Sequence, residues 1–117
     1  MLRSSHLRHR NLTLSQQTPE RQRLITLMQQ ICFGAIYDLR IRWGEPVWDP
    51  PPRVVRRKKF GGINQPRAQA GQTDFVLKRE VVELLNEFDN LRNGVLPVIQ
   101  IAHGLPIVYE FEDAIRV

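Results

Sequence analysis

Cysteine is nearly absent from the sequence, because Cys32 is the only one among 117 residues. This excludes an internal disulfide and a metal cage built from several cysteines. Long apolar runs are also missing, and none approaches the roughly 20 residues that a membrane-spanning helix needs. The N-terminal residues lack the apolar stretch of a secretory signal peptide. We therefore expect an intracellular, cytoplasmic protein with no membrane span.

Acidic residues are missing from residues 1–17, which carry Arg3, Arg8 and Arg10 among scattered leucines and polar residues. Such a segment buries too little apolar surface to repay the entropy of ordering, which predicts a flexible basic tail. An Arg-rich, Ser-containing and acid-poor segment is also typical of organellar transit peptides. Import into an organelle through residues 1–17 is therefore the alternative to a cytoplasmic location.

Residues with catalytic or metal-binding chemistry are few. Cys32 falls on the apolar stripe of a predicted helix, where a free cysteine behaves as a small hydrophobic residue. His103 falls in a predicted turn, and the sequence shows no partner group for acid–base catalysis beside it. No phosphate-binding or dinucleotide-binding glycine motif is present. The sequence therefore predicts no catalytic residue, no metal ligand and no cofactor, and we expect a binding module rather than an enzyme.

Two segments have the apolar periodicity of amphipathic helices. Thr18 is a capping residue and Pro19 suits the first helical position, so the first helix is predicted to begin there and to end at Gly34. The second is predicted to open at Thr73-Asp74 and to end at Gly94. The two predicted stripes are Leu24, Leu27, Met28, Ile31 and Cys32 in the first helix and Leu77, Val81, Leu84, Leu85, Phe88 and Leu91 in the second.

Alternation of apolar and charged residues predicts strands after each helix. In residues 37–43 the large apolar side chains alternate with charges, which is typical of a strand with one buried face and places Trp43 in the core. The other predicted strands are 46–48, 53–60, 95–102 and 107–112. We expect the helical stripes to pack against one side of these strands, on Leu39, Ile41, Ile99, Ile101, Tyr109 and Phe111.

The chain also matches itself, without a gap, at an offset of 60 residues. Seven of 38 positions are identical when residues 20–57 are set against 80–117. The identities include the glycine after each helix and the Gly-x-Pro of each turn, which apolar periodicity alone does not explain. They are Glu20 with Glu80, Leu24 with Leu84, Gly34 with Gly94, Ile41 with Ile101, Gly44 with Gly104, Pro46 with Pro106 and Arg56 with Arg116.

A repeated helix-strand-strand unit predicts the fold. One such unit cannot close a core alone, whereas two can pair their strands and lay both helices on one side. We therefore predict an α+β fold, a two-layer sandwich with two helices on one face of an antiparallel sheet of four or five strands, built from a duplicated α-β-β unit. The single domain covers 18–117, with repeats at about 18–60 and 73–117 and a connector at 61–72.

Charge is divided unevenly along the chain. Residues 1–72 carry 13 basic and 4 acidic side chains, a net charge of +9, whereas residues 73–117 carry 4 basic and 8 acidic, a net charge of −4. The densest basic cluster is Arg53, Arg56, Arg57, Lys58 and Lys59. We expect support for it from Arg40 and Arg42 on the solvent-facing side of the first strand, and Trp48 is a candidate for stacking on a base.

These features favour a small basic binding module over other classes of protein. The main hypothesis is that the basic first half binds nucleic acid or another polyanion, because clustered cations release counterions from phosphates. The alternative is protein–protein interaction or self-association, in which the acidic second repeat or a sheet edge meets a partner. The first requires a continuous exposed basic patch, and the second requires an open edge or an apolar patch.

Overall fold

The structure is a computed structural model of the chain, and it describes residues 12–58, 60–61 and 74–110. Two α-helices and a five-stranded antiparallel sheet form an α+β fold, as the sequence predicts. The elements in chain order are α1 (Pro19–Ile31), β1 (Gly34–Arg42), β2 (Glu45–Val47), β3 (Arg53–Arg56), α2 (Arg79–Leu91), β4 (Gly94–Ala102) and β5 (Leu105–Glu110).

Helix α1 begins at the predicted residue. The Thr18 hydroxyl oxygen accepts a hydrogen bond from the backbone N–H of Arg21 at 3.2 Å, and Pro19 occupies the first turn. The cap satisfies one of the N–H groups that a helix start leaves without a partner, and proline has no N–H there to lose.

Helix α2 begins later than predicted, at Arg79 rather than at Thr73-Asp74. The carboxylate of Asp74 is engaged elsewhere, since it accepts hydrogen bonds from the backbone N–H and the hydroxyl of Ser15 at 3.0 and 2.8 Å. Backbone hydrogen bonds join Leu14 to Phe75 and Leu77 to Leu12. The sequence alone does not show whether an aspartate caps a helix or binds a distant segment of the chain.

Residues 12–17 therefore pack against the folded domain. Leu14 is buried in the core, and a short 3-10 turn covers Leu14–Gln16. The sequence predicts a tail that includes these residues. Residues 1–11 and most of the predicted connector lie outside the described residues, and the flexible basic tail stays a prediction for them.

The central strands of the sheet are β1 and β4, and β5 flanks β4. The other edge of β1 carries two short strands, one after the other. Strand β2 pairs with residues 40–42 at the end of β1, and β3 pairs with residues 34–37 at its start. Residues 48–52, which include three consecutive prolines, connect the two pairings.

One face of the sheet and both helices enclose a single core. Leu24, Met28, Leu84 and Phe88 from the helices are almost fully buried, as predicted. The core face of the sheet contributes Ile36, Leu39, Ile41, Leu96, Ile99 and Ile101. Leu91 and Tyr109 are only partly buried and pack at the margin of the core, whereas Phe111 lies outside the described residues.

The predicted burial of Trp43 is wrong, because its side chain is 69% exposed. Regular alternation would place Tyr37, Leu39, Ile41 and Trp43 on one face. Asp38 breaks the alternation with a φ of 60°, and Trp43 itself has a φ of 55° in the turn after β1. Leu39 and Ile41 stay in the core, whereas Tyr37 lies on the opposite face beside Arg53. A period of two fails wherever a residue leaves the extended conformation.

Each helix ends in the same unusual turn. Cys32 and Arg92 follow α1 and α2 with φ values of 65° and 61° and ψ values of −60° and −54°. In each case the next backbone N–H bonds back across the turn, from Phe33 to Ile31 and from Asn93 to Leu91, both at 2.7 Å. This is the strained, positive-φ form of the γ-turn, which is rare in proteins.

Candidate functional site

Three predicted arginines lie on the sheet face opposite the helices. Arg53 is the antiparallel partner of Tyr37, so it shares the face that points away from the core residues Ile36 and Val54. Its guanidinium carbon lies 4.3 Å from the centre of the Tyr37 ring. Arg40 and Arg42 lie farther along β1 and are exposed. The tyrosine ring fixes the position of one cation, and the strand fixes the spacing of the other two.

The cations are spread along the length of β1 and over the short strand β3 beside it. Arg42 lies at the end of β1, whereas Arg56 is paired with Gly34 at its start. The distance along the strand between these two positions is roughly 27 Å at about 3.4 Å per residue. Arg57 and Lys58 continue the line beyond β3, and Lys59 lies outside the described residues. We call Arg40, Arg42, Arg53, Arg56, Arg57 and Lys58 the basic row.

The charges of the basic row are not neutralised by ion pairs within the part of the chain that the structure describes. Both ion pairs found there use Arg21, which contacts Asp89 at 2.6 Å and Glu45 at 3.6 Å. Exposed cations in a row produce a positive potential that an internal carboxylate would otherwise cancel. Within the described residues, no ion pair occupies the charged groups of the basic row.

A pocket of about 400 Å³ opens at one end of the basic row. Its polar lining is Arg40 and Arg42 from β1, Asp49 from the connection after β2 and Asn93 from the residue before β4. Val47 and Val95 form the apolar part of the wall. Two guanidinium groups and the single carboxylate of Asp49 leave the lining with a net positive charge, which suits an anionic ligand with a flat or apolar body.

Trp43 lies next to this pocket, although the sequence predicts that its side chain is buried in the core. Its backbone N–H donates to the side-chain oxygen of Asn93 at 3.2 Å, and Asn93 also lines the pocket. The guanidinium carbon of Arg92 lies 5.8 Å from the centre of the indole ring. The only signal in the sequence that could have found the residue is the glycine at position 44, which indicates a turn and hence an end to the strand alternation.

Trp48, the residue predicted to stack on bases, lies on the helix side of the sheet. Its ring packs against the core, and the guanidinium carbon of Arg23 lies 4.6 Å above it. Its indole nitrogen is buried without a hydrogen-bond partner among the described residues. Residues from α1 and the proline run form a groove of about 630 Å³ around it. Trp48 is therefore not brought together with the basic row.

Residues outside the basic row carry the resolved shifts in pKa. The backbone N–H of Ser15, followed by its hydroxyl, lowers the pKa of Asp74 below the ordinary value of 3.8. Burial raises the pKa of Tyr109 above the ordinary value of 10.0, and the carboxylate of Glu87 raises it further. Both groups lie in structural contacts rather than in a cleft.

The described residues include few side chains suited to catalysis or to metal binding. Cys32 is buried, and His103 packs edge-on against Phe33 with ring centres 4.8 Å apart. No cluster of three metal-ligating side chains occurs among the residues that the structure describes. Neither described helix is long and apolar enough to cross a membrane.

Comparison with family models, with curated proteins and with solved structures finds no significant match to this chain. Function is therefore inferred from the geometry of the basic row, the pocket and Trp43.

Proposed function

We propose that the protein is a non-enzymatic module that binds nucleic acid through the basic row. The observation that carries the proposal is the placement of the exposed arginines Arg40, Arg42 and Arg53 on the neighbouring strands β1 and β3, on the sheet face away from the core residues Ile36 and Val54. Because the cations lie on paired strands, the sheet fixes the spacing of the backbone positions that carry them.

Two features favour a phosphate backbone over a single small anion. The row extends the length of β1, which is far longer than one carboxylate or phosphate group. The cations are mainly arginines, whose planar donors suit phosphate oxygens. A basic edge strand also resists unwanted strand pairing. That role explains cations on β3 but not those on the central strand β1.

The proposal is tested by the salt dependence of binding. On duplex DNA each phosphate contact adds about 0.9 to the slope of log affinity against log salt concentration. Arg40→Gln with Arg42→Gln, and separately Arg56→Gln with Arg57→Gln, should weaken binding of mixed-sequence fragments and flatten the slope. A control that removes two charges elsewhere is Lys78→Gln with Arg79→Gln at the start of α2, where both residues are exposed.

Fluorescence anisotropy at low salt supplies the measurement, with circular dichroism to show that each variant is folded. Equal losses in the control and in the basic-row variants would show that net charge alone matters and would contradict a defined site. No binding by the folded wild-type protein at micromolar concentration would remove the proposal altogether.

Self-association through β5 is the second candidate function. β5 pairs only with β4 among the described strands, so its outer edge is open. Ile107 and Val108 on this strand are 58% and 53% exposed. An open edge with apolar side chains is a surface on which a second copy can add. Sedimentation equilibrium tests this candidate: Ile107→Lys should abolish a dimer, whereas Val76→Lys, at an exposed apolar residue elsewhere, should not.

We infer in addition that the fold arose by duplication of an α-β-β unit. Helices α1 and α2, and strands β1 and β4, begin and end at positions 60 residues apart. The register supports this, because Gly34 pairs with Ile101 while their offset equivalents Gly94 and Ile41 pair with each other.

The turns support the duplication in the same way. The N–H of Gly44 bonds to the carbonyl of Arg92 and the N–H of Gly104 bonds to that of Cys32, both at 2.9 Å. An offset of 60 residues converts the donor and acceptor of one bond into those of the other. A rare γ-turn at both helix ends is difficult to explain by periodicity, because apolar periodicity constrains faces and not terminal backbone angles.

A further inference from the structure

We propose that the nucleic acid bound by this protein is single-stranded, and that one unpaired base stacks on Trp43 while Arg40, Arg42 and Arg92 contact the adjoining phosphates. This inference rests on the proposed function and specifies its ligand. It assigns to Trp43 and Arg92 roles that the charge pattern of the sequence does not indicate.

The indole ring of Trp43 is accessible and its backbone is held in place. The side chain is 69% exposed, far more than its size and apolar character would favour without a partner. The turn is fixed by the hydrogen bond from Trp43 to Asn93 and by the bond from the N–H of Gly44 to the carbonyl of Arg92. A ring on a braced turn loses less conformational entropy on stacking than one on a loose loop.

The positive φ of Trp43 adds to this argument. A bulky residue with a φ of 55° is uncommon, and such backbone conformations are concentrated at sites of function. Asparagine or glycine would occupy the same turn with less strain. His103 has a similar φ at the equivalent turn, so the conformation supports the proposal only together with the exposure of the indole ring.

The cations around Trp43 lie where the phosphate backbone of a bound single-stranded nucleic acid would pass. Arg92 lies beside the ring, and Arg40 and Arg42 line the pocket whose wall includes Asn93, the residue that holds the turn. A base stacked on Trp43 would thus lie near Arg92 and beside the pocket that Arg40 and Arg42 line. Stacking on an aromatic ring combined with nearby cations is the usual means of binding single strands without a fixed sequence.

The opposite end of the sheet supplies an internal comparison. At an offset of 60 residues, Arg40, Arg42, Trp43 and Arg92 correspond to Gln100, Ala102, His103 and Cys32. The turn at His103 has the same backbone, with a φ of 56° followed by a glycine with a φ of 74°. All three arginines and the indole are thus confined to one of two similar ends. The backbone geometry does not require them there, and a ligand at that end accounts for them.

Single strands are favoured over duplexes because of the stacking surface. The faces of paired bases are covered by their neighbours in a duplex, so Trp43 can stack only on an unpaired or extruded base. Arg40, Arg42 and Arg53 also lie on strands of the sheet and not on a projecting helix, which is the element that most often enters a major groove.

Trp43→Ala and Trp43→Phe test the proposal in the full chain. The probes are a mixed-sequence oligonucleotide of about 12 nucleotides and the duplex of the same sequence. Trp43→Ala should weaken single-strand binding by about 10-fold or more, as expected for one lost stacked base. Trp43→Phe, which keeps an aromatic face, should restore most of the affinity, and duplex binding should change little in either variant.

Tryptophan fluorescence gives an independent readout, because Trp48 is largely covered and Trp43 is not. In a Trp48→Phe variant the emission from Trp43 should be quenched as the single strand saturates the protein. In the Trp43→Phe variant the remaining emission from Trp48 should change little.

The outcomes separate this inference from the proposed function. If Trp43→Ala leaves single-strand affinity unchanged while Arg40→Gln with Arg42→Gln lowers it, stacking is overturned and binding by the basic row remains. Preference of the wild-type protein for the duplex would also overturn the single-strand assignment. Failure to bind either probe would remove both proposals.

Discussion

At the scale of single residues, burial decides which substitutions matter for stability. Phe88 is fully buried and is the largest side chain in the core. It lies in helix α2 and packs with residues from α1 and the sheet in one cluster. Its removal would leave a cavity that rigid neighbours on several elements could only partly fill.

Phe88→Ala should therefore lower the free energy of unfolding by about 3–5 kcal/mol. Urea denaturation followed by circular dichroism measures the change. Asn86→Ala, at an exposed position of the same helix, is the matched control and should stay within about 0.5 kcal/mol of the wild type. A small loss of unfolding free energy in Phe88→Ala would mean that neighbouring side chains fill the cavity or that Phe88 is not buried in solution.

Asp74 differs from Phe88 because its contribution to the stability of the fold depends on pH. Hydrogen bonds from Ser15 and Phe75 stabilise the charged carboxylate, and its folded pKa lies below the ordinary value of 3.8. A lowered folded pKa adds stability that is fully present above the ordinary value and disappears as the pH falls through the folded value.

Asp74→Asn should therefore destabilise the protein at pH 7, and the difference from the wild type should shrink below about pH 4. Thermal unfolding across this pH range measures the effect. Ser15→Ala keeps the backbone N–H bond and should show a smaller loss over the same range. A difference that does not change with pH would show that the charge of Asp74 is not what stabilises the contact.

At the scale of elements, the two halves share their boundaries but not their surroundings. Gly34 and Gly94 occupy the first position of β1 and of β4. A side chain at Gly34 would place its Cβ 2.0 Å from the carbonyl oxygen of Val55 in β3, and the backbone φ of 156° is also unfavourable for other residues. At Gly94 the nearest atom belongs to the flexible side chain of Leu91, at 3.1 Å.

Gly34→Ala should thus cost at least about 3 kcal/mol, because β3 must move away from β1, whereas Gly94→Ala should stay within about 1 kcal/mol. The pair forms its own control, since the same substitution is made at equivalent positions. Chemical denaturation of both variants measures the difference. Equal costs at the two glycines would indicate that β3 does not approach β1 as closely as described.

At the scale of the whole molecule, Arg21 connects the two halves. Its side chain is only 12% exposed, and its guanidinium group donates to the carbonyl of Gly44 at 2.8 Å and contacts the carboxylate of Asp89 in α2. The carboxylate is 61% exposed, so solvent screens its attraction to the arginine. Most of the stabilisation therefore comes from the packed stem and the bond to Gly44.

Arg21→Ala should cost about 2–3 kcal/mol, whereas Asp89→Asn should cost less than about 1 kcal/mol. Unfolding of the two single variants and the double variant gives the coupling energy between the side chains. A large coupling energy would show that the ion pair to Asp89, which is the contact that joins the halves, contributes more than the bond from Arg21 to Gly44 within the first half.

The sequence predicted the class of fold and most of the core because these depend on periodicity and on glycine stops. Local exceptions were not predictable in the same way. The positive φ of Asp38 moved Tyr37 to the other face, and the engagement of Asp74 with Ser15 delayed helix α2. The second depends on a contact distant in sequence, and the first on a backbone conformation that alternation of residue types does not encode.

The candidate site was foreseen only in part, for a related reason. Charge composition indicated the arginines and lysines, because clustered cations are visible without a structure. The exposure of Trp43 and the nearness of Arg92 depend on how a turn meets a helix end, which residue type and spacing do not encode. Trp48 was favoured in the sequence and is instead covered by Arg23.

The interrupted pairing along the outer edge of β1 limits how the protein can assemble. Strands β2 and β3 are three and four residues long, and the prolines between them have no N–H groups to offer another strand. That edge is a poor template for continued strand addition. If two copies join through β5, each presents only this broken edge outward. Growth then stops at a closed two-fold pair, and the protein is protected from forming open-ended fibrils.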